Sequence, residues 1–118
     1  MTRKQIAELF SAGQFELTYP YLSENIAWNV YGEKILEGKK AVIEDCNRTA
    51  QYFGSVTTDF RTHHVIEEGN RVAINGRAEF IRDGKTVAII NACDIYEFDD
   101  SGMLQKIYSY CINDNKQK

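Results

Sequence analysis

The residue of greatest chemical interest is Asp94, a single carboxylate in an otherwise apolar stretch. It lies in the strand-like run 86–98, in which residues at alternate positions share one face. Its same-face neighbours carry no formal charge at neutral pH: Ala88, Ile90, Ala92, Tyr96 and Phe98. Burial on such a face raises a carboxyl pKa unless a donor or a cation lies close by. Asp94 is therefore a candidate acid, base or hydrogen-bond donor in a pocket.

Because alternate residues of a strand share one face, the predicted strands place further residues in the same pocket as Asp94. Tyr96 shares its face and is a second candidate catalytic residue, placed to assist an oxyanion. Neighbouring strands would supply ligand-binding residues: Ile74, Ala78 and Phe80 as an apolar wall, with Ile107, Ser109 and Cys111 on the next strand. A few polar groups on apolar walls are typical of a small-molecule site.

The first predicted strand, 26–31, contributes two more candidates. Asn29 and Tyr31 share one face, and Asn29 could orient a carbonyl or hydroxyl group of a ligand. Trp28 takes the other face, where a large aromatic residue is expected to anchor the core. We expect Tyr31 and Tyr52 to line the mouth of the pocket. Tyr108 and Tyr110 share the opposite face of the last strand, which predicts a subunit interface there.

Other interpretations of these residues remain open. Asp94 could instead cap a loop or pair with Arg77 or Arg48 in a structural network. His63 and His64 are adjacent on a strand, so their side chains point to opposite faces and cannot jointly bind one metal ion. The sequence contains no HExxH motif and no glycine-rich phosphate loop. We therefore predict neither a metal nor a cofactor.

Length and composition predict one domain spanning residues 1–118. The net charge of −3 and the dispersed lysines and arginines argue against nucleic acid as a partner. An apolar run long enough to span a membrane is missing from the sequence, so no membrane association is expected. Three widely separated cysteines without metal spacing are typical of reduced thiols, and a cytoplasmic location follows.

The amino-terminal third of the chain predicts helices and one short strand. Thr2 and Gln5 have the spacing of a capping box, which predicts a helix that ends near Gly13. A second helical stretch should break at Pro20, before the strand 26–31 and a loop over 33–37. From Gly38 to Gly54 the apolar period becomes helical, with one face formed by Val42, Cys46, Thr49, Ala50 and Phe53.

The rest of the chain predicts four long strands joined by tight turns. Their expected bounds are 56–67, 71–82, 86–98 and 104–112, separated by glycine-containing turn sequences. Helices followed by an antiparallel meander predict an α+β fold in which the helices pack on one face of a curved sheet. The polar tail 113–118 is expected to fray.

This order of elements resembles the nuclear transport factor 2-like superfamily, which includes SnoaL-like polyketide cyclases and ketosteroid isomerases. The segments that carry the resemblance are YLSENIAWNVYG at 21–32, GKKAV at 38–42 and CDIYEF at 93–98. The resemblance to the SnoaL-like subgroup implies a cone-shaped α+β fold, a mainly antiparallel curved sheet and a homodimer formed through an exposed sheet face. The fold hosts enzymes, binding modules and assembly domains alike.

Similarity to ketosteroid isomerases implies roles for individual residues. Asp94 falls where that family keeps a neutral aspartic acid that donates to the oxyanion of an enolised ketone. Asn29 takes the position of its general-base aspartate and Ile6 that of its oxyanion-hole tyrosine, while Cys46 and Cys111 replace aromatic pocket residues. An amide cannot abstract a proton, so the isomerase mechanism does not carry over intact.

These observations lead to one function hypothesis and two alternatives. The first is a protein that binds a compact, largely apolar carbonyl compound and acts as a cofactor-independent isomerase, cyclase or lyase through Asp94. The missing base at Asn29 motivates the second, a ligand-binding module without chemistry. The third is a homodimeric interaction scaffold whose interior is filled.

Overall fold

The computed structural model describes residues 1–114, in which three helices pack on a six-stranded sheet. Helix α1, Arg3–Ser11, begins at the predicted capping box. The backbone N–H of Gln5 donates to Thr2 Oγ1 over 3.1 Å, and that of Thr2 donates to Gln5 Oε1 over 2.8 Å. This reciprocal pair satisfies two helix-terminal donors, and the predicted helix start is confirmed.

The chain next forms a 3₁₀ helix, Phe15–Tyr21, which contains Pro20. Pro20 lacks a backbone N–H and cannot donate the hydrogen bond that the interior of a long α-helix requires. A short 3₁₀ helix tolerates it. The following strand β1, Leu22–Val30, begins at Leu22 rather than at Ile26 as predicted.

The predicted loop over 33–37 is wrong, because strand β2 occupies Lys34–Glu37. It pairs antiparallel with β1, from Ala27 opposite Glu37 to Val30 opposite Lys34. Four mostly exposed residues give no burial alternation, so the pairing partner rather than a local pattern makes this segment a strand. Helix α2, Lys39–Gly54, then begins after Gly38, as predicted.

The predicted meander is confirmed as β3, Thr57–Glu68; β4, Arg71–Arg82; β5, Lys85–Phe98; and β6, Leu104–Asn113. Asp83 and Gly84, between β4 and β5, both have positive φ, of 54° and 75°. That geometry is the one a two-residue hairpin turn requires. Of the tail expected to fray, Asn113 ends β6, and residues 115–118 lie outside the described part of the chain.

The sheet order is β2-β1-β6-β5-β4-β3, and every neighbouring pair is antiparallel except β1 with β6. The core lies between the helices and the inner face of this sheet, and its fully buried members include Ile6, Leu22, Ile26, Val42, Tyr96 and Phe98. The α+β architecture predicted from the order of elements is confirmed. The inner sheet face carries both the core and the candidate site.

Candidate functional site

A cavity of about 250 Å³ lies between the helices and the inner face of the sheet. Most of its lining side chains are apolar, among them Phe10, Phe15, Trp28, Phe53, Phe60, Ile74, Phe80 and Ile90. Its carboxylates belong to Asp94, Asp45 and Glu33, and its cationic side chains to Lys34, Arg61 and Arg77. Apolar walls with a few polar groups are the usual environment for a compact organic ligand.

Asp94 lies on the cavity wall, on strand β5 between Ile74 of β4 and Ser109 of β6. Ser11 Oγ, at the end of α1, donates to Asp94 Oδ2 over 3.2 Å. The side chain of Ser109 also hydrogen-bonds this carboxyl group. Within residues 1–114, Arg48 pairs with Asp45 and Arg77 with Glu79, so the structure gives Asp94 hydroxyl partners instead of the ion pair considered from the sequence.

The direction of these hydrogen bonds follows from the chemistry of their donors. Trp28 Nε1 donates to Ser109 Oγ over 2.9 Å, and an indole nitrogen can only donate. The single hydroxyl proton of Ser109 is therefore free to point to Asp94, directly opposite on the neighbouring strand. On the other side Tyr96 and Ser11 oxygens lie 2.5 Å apart, and because Ser11 donates to Asp94 it accepts from Tyr96. Both sets of donors favour the charged carboxylate.

Burial and hydrogen bonding act on Asp94 in opposite directions. Burial raises the pKa of the Asp94 carboxyl group above its ordinary value, and the hydrogen bonds from Ser109 and Ser11 partly offset this. Burial also raises the pKa of the Tyr96 phenol well above its ordinary value, and the negative charge of Asp94 adds to the effect. Tyr96 consequently keeps its proton and remains a donor.

A second polar group lines the same cavity on helix α2. Asp45 is only 4% exposed, and its Oδ1 atom lies 2.7 Å from Lys34 Nζ and 3.3 Å from Arg48 Nη2. Lys34 comes from β2, the strand that the sequence pattern did not predict. Asp94 and Asp45 therefore have different surroundings in the cavity: hydroxyls bond the first, and cations pair with the second.

Half of the sequence-predicted site residues line the cavity: Asp94, Ile74, Ala78, Phe80, Ser109 and Cys111. Tyr96, Cys46 and Ile107 are instead buried in the core behind it. Helix α2 is rotated so that Asp45, Thr49 and Phe53 face the cavity, which removes Cys46 from the lining. This corrects the pocket placement expected for those three core residues.

The pocket placement expected for Asn29, Tyr31 and Tyr52 is also corrected. Parallel pairing with β6 sets Trp28 beside Ile107 and Val30 beside Ser109, so Trp28 and Val30 face the cavity. The alternate residue Asn29 then lies beside Tyr108 on the outer sheet face. The Tyr31 ring stacks on that of Tyr110 with centroids 4.6 Å apart, and Tyr52 is 43% exposed and packs against Phe80.

Several polar or aromatic residues of the site were not predicted as such, among them Ser11, Trp28, Lys34 and Asp45. Asp45 precedes Thr49 by one helical turn, and a carboxylate near the apolar face of α2 is a signal that could have identified it. Ser11 gives no such signal, because its contact with Asp94 joins residues 83 positions apart in the chain.

The thiol of Cys46 is expected to be unreactive in the native protein. It is fully buried, and burial together with the negative charge of Asp45 raises its pKa to about 12. At about pH 8 we expect iodoacetamide to leave Cys46 unmodified in folded protein and to modify it in denaturant, as read by peptide mass spectrometry. Modification of Cys46 in the denatured sample serves as the positive control. Rapid modification of native Cys46 would contradict its buried position.

Comparison with known proteins agrees with this architecture. The SnoaL-like domain model matches residues 3–107. A nuclear transport factor 2-like protein of unknown function from Cytophaga hutchinsonii is 32% identical, over 92% of this chain and 94% of that chain, with a TM-score of 0.82. A candidate isomerase of the SnoaL-like family from Agrobacterium tumefaciens is 18% identical over 95% and 99% of the two chains, with a TM-score of 0.71.

An LEH-like epoxide hydrolase from M. tuberculosis shares the fold at 16% identity, over 93% of this chain and 82% of that chain, with a TM-score of 0.69. None of the curated proteins compared with the chain matches it. Among residues 1–114, no helix is both long enough and apolar enough to cross a membrane. The match over most of its length and the shared architecture show that the chain belongs to the SnoaL-like domain family of the nuclear transport factor 2-like superfamily.

Proposed function

We propose that this protein binds a compact, largely apolar carbonyl compound in its cavity and that Asp94 transfers a proton at a carbon beside the carbonyl group. The observation that carries the proposal is a carboxylate set in an apolar cavity wall and bonded by neutral hydroxyls. A structural carboxylate would more commonly be paired with a cation. Perturbed carboxyl groups in clefts are typical of functional sites.

Asp94 has the properties of a general base. Its raised pKa makes its carboxylate a stronger base than an exposed aspartate, and the hydroxyls hold it in one orientation. An ionised carboxylate offers about four acceptor positions, so the two hydroxyl donors, Ser11 and Ser109, leave room for a substrate proton. Removal of that proton forms an enolate. Return of the proton to a different carbon completes an isomerisation. Attack of the enolate carbon on a second carbonyl group closes a ring. Loss of a leaving group from the neighbouring carbon completes a lyase reaction.

The residues around Asp94 act in this proposal as positioning residues. Tyr96 lies behind the cavity and acts through Ser11, which it orients by a hydrogen bond. Trp28 orients Ser109 in the same way from the other side. This arrangement differs from the ketosteroid isomerase resemblance, in which the aspartic acid is neutral and donates to an oxyanion.

Hydrogen–deuterium exchange into small ketones tests the proposal directly. Cyclohexanone and acetophenone are incubated with the protein in deuterium oxide, and mass spectrometry follows the mass gain at the carbons beside the carbonyl. We expect faster exchange with native protein than with heat-unfolded protein. Exchange equal to the unfolded control, for ketones that measurably stabilise the native protein, would contradict proton transfer and leave binding alone.

A second candidate function is ligand binding without chemistry. Ile6 is fully buried in the core and Asn29 faces away from the cavity. The two positions at which the resemblance to ketosteroid isomerases implies a tyrosine and a base therefore supply no reactive group. Saturable ketone binding without exchange or product would favour this candidate.

We propose that the outer sheet face forms a homodimer interface. This face exposes Ile112 by 68% and Tyr110 by 45%, and Tyr110 stacks with Tyr31. Covering such apolar side chains with a second copy removes them from water. Sedimentation should give a dimer for the wild-type protein and a monomer for Ile112→Glu. Leu17→Glu, at another exposed apolar residue, in the 3₁₀ helix, should remain dimeric; a monomeric wild type would contradict the interface.

We propose a cytoplasmic location on the basis of the cysteines. Cys46, Cys93 and Cys111 are all free thiols in the structure. Free thiols are typical of proteins from reducing compartments, since oxidising compartments favour disulfides. The proposal predicts that the protein retains full stability in the presence of a thiol reductant.

A further inference from the structure

We infer that Asp45 and Lys34 form a second ligand-binding group in the cavity, and that this group receives a neutral hydroxyl of the bound carbonyl compound. The inference rests on the proposed function, because it concerns the ligand of the same cavity. It narrows the ligand from an apolar ketone to a hydroxy ketone, in which an apolar body separates the carbonyl and hydroxyl groups.

The coordination of Asp45 carries the inference. Asp45 is 4% exposed and lines the cavity, yet its ion pairs with Lys34 and Arg48 both end on Oδ1. The hydrogen bonds of Asp45 within residues 1–114 also involve Oδ1 alone, so its Oδ2 atom has no partner there. The Oδ2 atom is not among the fully buried unpaired atoms of that part of the chain, so it is open to the cavity, where a bound molecule or water can donate to it.

Ion pairing with the two cations does not account for the burial of Asp45. The side chain of Lys34 is 44% exposed and that of Arg48 is 66% exposed, so water can solvate both without a buried partner. Burial of the Asp45 carboxylate, in contrast, has a desolvation cost that ion pairing only partly offsets. A role in binding explains why the carboxylate faces the cavity from α2.

The charges around Asp45 select the chemistry of the ligand group. Two cations on one carboxylate leave this cluster with a net positive charge, which disfavours a protonated amine. The free Oδ2 atom only accepts hydrogen bonds, so it would repel a ligand carboxylate. A neutral O–H group meets both conditions and gains a charge-assisted hydrogen bond to Oδ2.

The rest of the cavity fits a ligand with two polar groups. Asp94 on β5 and Asp45 on α2 belong to different structural layers, with Phe53, Phe60 and Phe80 among the apolar lining. An aromatic ketone with a hydroxyl substituent can place its carbonyl side near Asp94 and its hydroxyl on Asp45. Its ring then contacts the phenylalanine side chains.

Calorimetric titration with para-hydroxyacetophenone and acetophenone tests the inference, because the two probes differ only in the hydroxyl group. We expect wild-type protein to bind the hydroxylated probe about tenfold more tightly, as is typical of a hydrogen bond to a charged group. Asp45→Leu should abolish this preference. Asp94→Asn and the matched control Glu44→Leu, which removes a carboxylate from α2 at an exposed position outside the cavity lining, should both retain it.

The other possible outcomes would overturn either this inference or the proposed function. Equal affinity for the two probes in wild-type protein, or a preference that survives Asp45→Leu, would overturn the inference and leave the proposed function standing. Loss of the preference in Asp94→Asn alone would place the hydroxyl at Asp94 and would also overturn it. Failure of both probes to bind would contradict the proposed function itself. Should Asp45→Leu not fold, Asp45→Asn replaces the charged acceptor with a neutral one and should reduce the preference severalfold.

Discussion

Replacement of Asp94 by asparagine is expected to lower the rate of ketone proton exchange by about a thousandfold, the typical contribution of a positioned general base. The amide has nearly the same shape as the carboxylate but cannot accept the substrate proton. Mass spectrometry of the deuterated ketone measures the effect. Glu97→Gln is the matched control, because it makes the same chemical change on the same strand in a residue paired with Arg71.

The same variant separates a catalytic role from a structural one. Because burial raises the folded-state pKa of Asp94, its contribution to stability is present at acidic pH and is lost as the pH rises through that folded pKa. Asparagine has no charge to bury, so at neutral pH we expect Asp94→Asn to be at least as stable as the wild type in chemical denaturation. Retained exchange in this variant would refute the base role, and lost stability would indicate a structural role instead.

Gly76→Ala is expected to lower the free energy of unfolding by about 2 kcal/mol, as overpacking at a rigid contact does. Gly76 lies on β4, and a methyl group there would overlap the carbonyl oxygen of Arg61 and lie 3.2 Å from Thr62 Cα. Both atoms belong to the backbone of β3, next to the register shift between Thr62 and His64, so relief requires the strands to separate. Thermal denaturation should show a melting temperature lower by roughly 8 °C.

Gly54→Ala is the control for this prediction. Gly54 ends helix α2, and a methyl group there would meet no atom within 4 Å. Alanine is favoured over glycine in helices, so this variant should be unchanged or slightly more stable. Equal stability of the two variants would show that β3 accommodates the methyl group and would contradict the close strand contact.

Sequence periodicity predicted the parts of this fold that depend on local geometry. Alternation at period two within 86–98 sets Asp94 on one face of β5 together with Tyr96, since successive side chains of a strand point to opposite faces. Glycine and aspartate at 83–84 predicted the turn between β4 and β5, because few other residues adopt positive φ. Both features are decided by the residue and its near neighbours.

The face of strand β1 that points to the cavity could not be predicted from the local sequence. Both of its faces carry residues that could be buried, so its pattern is compatible with Asn29 or with Trp28 toward the cavity. Strand β6, which is far from β1 in the chain, pairs with it in parallel and sets Trp28 beside Ile107, so that Trp28 rather than Asn29 faces the cavity. A shift of one residue would have reversed both assignments, which is why the sequence pattern placed Asn29 and Tyr31 on the wrong side.

The sequence by itself thus determined the α+β architecture and the face on which Asp94 lies, because these depend on local periodicity and turn chemistry, and its resemblance to known segments indicated the family. Only the tertiary structure decided the partners of Asp94, since the hydroxyls of Ser11 and Ser109 reach it from other elements. It also decided the rotation of α2, which turns Asp45 rather than Cys46 toward the cavity. The physical reason is the same in each case: packing against distant segments selects one of several locally equivalent orientations.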